Sequence, residues 1–126
     1  MCEVIEAFLD RDLLLVYEDE GTVREMRPDF DKVAELPGMG VAVKAPGTDR
    51  DCVSRFFAPK IGIDEDPVTG SVHCMIAPYW AARLGKERIR AYQASARGGE
   101  MELELCGERV FVLGHAALFS CAELSV

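Results

Sequence analysis

The hydrophobic pattern changes character near the middle of the chain. Before residue 58, short apolar runs are separated by charged turns. Residues 13–17 form a continuous apolar run that starts after Arg11 and Asp12 and stops at Glu18-Asp19-Glu20-Gly21, which predicts a buried strand. The charged turn leads into residues 22–26, which read as a second strand. Pro28 at a first-turn position, with Asp29 and Asp31 behind it, predicts a short helix through Leu36, stopped by Pro37-Gly38. Residues 39–44 and 51–57 read as two further strands, closed by Ala45-Pro46-Gly47-Thr48 and by Pro59.

From Val72 the period lengthens. Val72, Met75, Ile76, Tyr79, Trp80 and Leu84 recur at three and four residues, the stripe of a helix that Gly85 ends. Pro78 removes one hydrogen bond from within that stripe, yet the phase runs on across it, so a single helix is expected. Beyond Ile89 the period returns to two. Residues 92–94, 101–105, 110–112 and 117–121 read as strands, with a tight hairpin at Cys106-Gly107-Glu108-Arg109.

The chemistry gathers where the long helix begins. Asp64, Glu65 and Asp66 precede Pro67, which pushes Asp66 out of the helical region, so Asp66 should end an extended or turn segment. Thr69 or Ser71 can cap the helix, and Gly70 allows close backbone approach. The amides then left over, at Ser71, Val72 and His73, face the mouth with the positive end of the helix dipole behind them, a setting that suits a small anion. Asp66 could cap the helix or face a cleft as an acid/base group; the local residues leave both open. The dipole favours a neutral His73, and Cys74 reads as a core thiol. Ser71 and His73 do not read as a hydrolase pair, because residues two apart diverge around a helix and no Gly-x-Ser-x-Gly is present.

Four short stretches, in order, carry a resemblance. Phe56-Phe57-Ala58-Pro59, Glu65-Asp66-Pro67-Val68-Thr69-Gly70-Ser71 with His73, Ala77-Pro78-Tyr79-Trp80, and Gln93-Ala94-Ser95-Ala96-Arg97-Gly98-Gly99-Glu100 are similar to the signature of the PhzF-like isomerase family of phenazine biosynthesis. That family shares the fold of diaminopimelate epimerase. The resemblance implies an α+β fold, a curved and mostly antiparallel sheet wrapped around a central helix. It also implies that residues 1–126 form a single domain matching the second half of a typical member. In the family the cleft lies between two such domains. The first supplies a catalytic glutamate and a Gly-His/Asn-Pro-Thr motif, neither of which occurs in this sequence.

By resemblance, Asp66 is the catalytic position and Gly70, Ser71, Val72, His73 and Arg97 bind substrate. The implied reaction is cofactor-independent proton transfer on a small carboxylated substrate, with no metal. It is incomplete without an opposing domain, which a longer chain, a split subunit or a homodimer could supply. The alternative is a non-catalytic small-anion-binding or structural domain of the same fold. Racemisation by two opposed cysteines, as in diaminopimelate epimerase, does not fit a mouth reading Thr69-Gly70-Ser71-Val72.

Composition narrows the remaining classes. Of 126 residues 49% are hydrophobic, enough for a folded core, and 22 acidic against 14 basic residues give a net charge of −8. Nucleic acid is not an expected partner. Five cysteines, Cys2, Cys52, Cys74, Cys106 and Cys121, without a C-x-x-C pair, suggest free thiols in a reducing compartment. The opening Met-Cys-Glu-Val-Ile-Glu has acids where a signal peptide has a basic region, and no apolar run could span a bilayer, so a cytoplasmic protein is expected.

Overall fold

The computed structural model describes residues 3–125; Cys2 lies outside them. Eight strands form one sheet: β1 (Glu6–Leu9), β2 (Leu13–Val16), β3 (Val41–Pro46), β4 (Cys52–Ala58), β5 (Ile63–Asp66), β6 (Arg88–Gln93), β7 (Gly99–Cys106) and β8 (Arg109–Leu113). The helices are α1 (Glu20–Glu25), α2 (Phe30–Glu35) and α3 (Gly70–Leu84). The strand order is β1-β2-β3-β4-β6-β7-β8, with β5 attached to β4 off that path.

This corrects the expected fold. The sheet is mixed: β2 pairs parallel with β3 and β4 parallel with β6, among otherwise antiparallel neighbours. It is open, with β1 and β8 at its two ends, and it does not wrap around a helix. The reason lies in the central strands, whose residues are buried on both sides. Along β3 and β4, Ala42, Cys52, Phe56 and Ala58 pack with Val72, Ile76, Ala77 and Trp80 of α3. Val41, Val43, Ala45, Val53 and Phe57 pack in a second cluster with Val23 of α1 and Phe30 and Val33 of α2. Parallel pairings need cover on both faces, and these helices provide it. Burial of side chains such as Ile76 and Trp80 stabilises the fold by about 1.5–3 kcal/mol each.

Residues 22–26 are helical where a strand was expected. Asp19 accepts from the Thr22 amide at 2.9 Å and from the Thr22 hydroxyl, an N-cap that overrides the β propensity of Thr22 and Val23. Asp29 caps α2 in the same way, through the Lys32 amide. α3 is one helix containing Pro78, and it ends at Gly85 in the left-handed conformation. The hairpin at Gly107 forms as read. The strand expected at residues 117–121 does not: residues 114–125 lack regular structure, and Phe119 is 99% exposed.

Two strands were not read as strands from the sequence. β1 is short and mostly exposed, and β5 runs through Ile63-Asp64-Glu65-Asp66 without apolar alternation. β5 forms because β4 offers it a ladder and because Arg55 meets Glu65 in a two-pronged ion pair at 2.7 and 3.0 Å. Arg55 also donates to the carbonyls of Val23 and Met26, which ties β4 to α1.

Candidate active site at the start of α3

β4 is shared by two strands that meet end to end. Its first half pairs with β6, Ser54 opposite Gln93, and its second half with β5, Phe56 opposite Asp66. The ends of β5 and β6 therefore face each other across Arg55, and α3 starts from that junction.

A buried polar network fills it. The Gln93 side chain, fully buried, accepts from the Thr69 amide at 2.7 Å and donates to the Asp66 carbonyl at 2.7 Å and the Thr69 hydroxyl at 3.1 Å. That hydroxyl in turn donates to the Asp66 carboxylate at 2.5 Å. Ser95 donates to the Pro67 carbonyl at 2.8 Å and accepts from the Gly98 amide at 3.0 Å. The segment from Asp66 to Thr69 is thus bonded to the end of β6 and to the turn after it.

Thr69 is the N-cap of α3, but its hydroxyl is turned to Asp66 and no side chain caps the helix. The Thr69 amide is satisfied by Gln93, so the first-turn amides without an intrahelical partner are those of Gly70, Ser71 and Val72. His73 begins the intrahelical bonding, a shift of one residue from the sequence expectation. Gly70 and Ser71 are exposed and Val72 is buried.

His73 points inward. Its Nδ1 lies 2.6 Å from the Thr69 carbonyl, which can only accept, so Nδ1 carries the proton and Nε2 is left to face the Ser54 hydroxyl at 3.4 Å. Burial pushes its pKa down, and the bond to Thr69 opposes that only in part. The imidazole is neutral, as expected, although the main cause is loss of solvent and not the helix dipole. Cys74 is exposed, against the expectation of a core thiol, because α3 turns it away from the sheet. Arg97 is exposed, and no described contact joins it to Asp66. The Gln93 side chain carries three bonds of the network; the sequence showed it as the first residue of the fourth family-like stretch, without a role, and it follows Ile89 and Ala91 at an inward position where an apolar residue would be expected.

The profile of the family described as phenazine biosynthesis-like protein, PhzC-PhzF, matches residues 4–122. The chain belongs to this family. It is 54% identical over 112 residues to an uncharacterized isomerase of Pseudomonas aeruginosa, covering 89% of this chain and 43% of that protein. It is 41% identical over 99 residues to a rat phenazine biosynthesis-like domain-containing protein, covering 75% of this chain and 34% of the other. Among solved structures, a PhzF-family protein from Enterococcus faecalis superposes with a TM-score of 0.90 at 46% identity, over 94% of this chain and 46% of that one. A PhzF-family protein from Bacillus anthracis, at 16% identity and a TM-score of 0.63, shares the fold. This PhzF-like chain therefore spans less than half the length of the relatives it matches. No helix among the described residues is long and apolar enough to cross a membrane.

Proposed function

We propose that this chain provides one wall of a PhzF-like isomerase cleft, corresponding to the second half of the longer relatives. In this reading the substrate is a small carboxylated molecule and the reaction is a proton transfer that needs no cofactor. Asp66 orients the substrate and takes part in the transfer. The amides of Gly70, Ser71 and Val72 receive the carboxylate at the start of α3, and Arg97 adds positive charge from the loop after β6. His73 contributes through its place in the first turn, with its ring holding Thr69 from behind. The observation that carries the reading is the fixed placement of Asp66, held by Thr69 beside a helix start that no side chain caps.

General acid/base chemistry needs a base within hydrogen-bond reach of the proton it moves. The opposing wall would supply the second acid/base group, either from the remaining half of a longer protein or from a second copy of this chain. A homodimer would reproduce by two-fold symmetry the pairing of two like domains. A second reading, an anion-binding domain without catalysis, is favoured by the bond from Thr69 to Asp66, which occupies one carboxylate oxygen within the protein.

Titrating the labelled chain with a small aromatic carboxylate tests the site. Amide shifts should concentrate at Gly70 to Val72, with affinity at millimolar levels or weaker, since one exposed helix terminus contributes only about 0.3–1 kcal/mol. Asp66→Asn should bind the simple anion more tightly, because a carboxylate is removed from beside it. Shifts centred elsewhere would sink the assignment. Isomerisation by the purified monomer, abolished in Asp66→Ala, would show that no second wall is required.

A further inference from the structure

Lys44 lies on the α3 side of β3, away from the candidate site, and is fully buried. Its Nζ has no hydrogen-bond partner among the described residues. Aromatic rings surround it instead: Tyr79 with its centroid 3.0 Å away, Trp80 at 5.7 Å and Phe8 at 5.9 Å. Phe8 belongs to β1, which closes the enclosure from the edge of the sheet and pairs as a strand with β2 alone. A second residue of β1 fastens it. Glu6 accepts from the Tyr79 hydroxyl at 2.9 Å and from the Arg83 guanidinium.

An ammonium in such a place has no acceptor to replace lost water, and the ring faces offset that loss only in part. A neutral amine carries no charge to desolvate and fits at a much smaller cost. We propose that Lys44 is a proton-operated latch on β1: the strand is held most firmly when the amine is neutral, and loading a proton onto it favours release of the strand.

The groups that could share in the titration can be named element by element. β1 contributes Glu6, whose carboxyl is held below the usual range chiefly by the Tyr79 hydroxyl. From α3 come Arg83 and Tyr79, the latter raised to about 12 by burial and by Glu6. β4 contributes Cys52, raised to about 12 by burial. The paired strand β2, Leu13–Val16, contributes none. None of these changes charge between neutral and mildly alkaline pH, whereas burial pushes Lys44 down to about 7.

The sign follows from linkage. With β1 closed, Lys44 loses its proton near pH 7; with β1 open, water restores a pKa near about 10.4. Between those values the open state binds the extra proton, so opening becomes about tenfold rarer for each pH unit gained. Below pH 7 both states are protonated and the dependence levels off.

Amide hydrogen exchange of the chain, corrected for intrinsic rates, tests this directly. Protection of residues 5–9 should rise about 50-fold from pH 7 to pH 9, while amides of β3 and β4 rise far less. Lys44→Met should abolish the rise. Glu6→Gln should lower protection at every pH and keep the slope. The Cε carbon resonance of Lys44 in the unmutated chain should titrate near neutrality, a readout that does not depend on any variant folding. A Lys44 resonance titrating above pH 9, a β1 slope that survives Lys44→Met, or protection that rises equally throughout the sheet would overturn the proposal.

Discussion

The Thr69 hydroxyl donates to the Asp66 carboxylate at 2.5 Å and accepts from Gln93 at 3.1 Å, so one buried side chain links the candidate acid to the end of β6. The helix N-cap is thereby used to hold an acid in place and not to cap a helix.

Thr69→Val keeps the shape and removes that link. Asp66 would lose its donor and Gln93 one of its two acceptors, at a cost of about 1–2 kcal/mol, read as a lower urea midpoint. Gln93→Leu should cost more, about 2–4 kcal/mol, because it leaves the buried Thr69 amide and the Asp66 carbonyl without their partner. If the leucine variant is as stable as the parent, the network does not organise this junction.

Gly98 sits at φ +72°, and a Cβ there would lie 2.1 Å from the Tyr92 hydroxyl oxygen. Gly98→Ala should therefore destabilise by about 2–4 kcal/mol, from left-handed backbone strain together with the clash. The Gly98 amide is bonded to Ser95, which holds Pro67, so the disturbance should reach the candidate site. Thermal unfolding gives the cost, and amide shifts at Val68 to Ser71 show whether it propagates.

Acid sensitivity should centre on Glu20. Its carboxylate accepts from the Thr48 hydroxyl and amide and from Arg24, and these bonds, the Thr48 hydroxyl foremost, hold its pKa down to about 2. Because the folded value is depressed, the stabilisation is complete above about pH 4.5 and is lost as pH falls toward 2. After allowance for solvent screening it is on the order of 1–2 kcal/mol. Urea unfolding of Glu20→Gln across that window should show a shallower loss than the parent; identical slopes would refute this.

Much of this protein was legible from residue order. The 3.6-residue stripe from Val72 to Leu84 identified α3 and carried it across Pro78, since one lost hydrogen bond does not outweigh a continuous apolar face. The Asp-Pro step placed Asp66 at the end of an extended or turn segment, where it is the last residue of β5, and Gly107 placed the last hairpin. Four motifs in order named the family, and the chain does belong to it.

Tertiary contact decided the rest. β5 exists because β4 has a free ladder and Arg55 meets Glu65, neither of which is visible within Ile63-Asp64-Glu65-Asp66. The parallel pairings of β2 with β3 and of β4 with β6 join segments far apart in sequence, and they replaced the wrapped, mostly antiparallel sheet that the resemblance implied. Gln93, Thr69 and Asp66 come together only because β5 and β6 share β4 end to end. Period and capping are local properties that neighbouring residues fix, whereas strand pairing, burial of a polar group and the company it keeps depend on which distant backbone and side chains supply the missing partner.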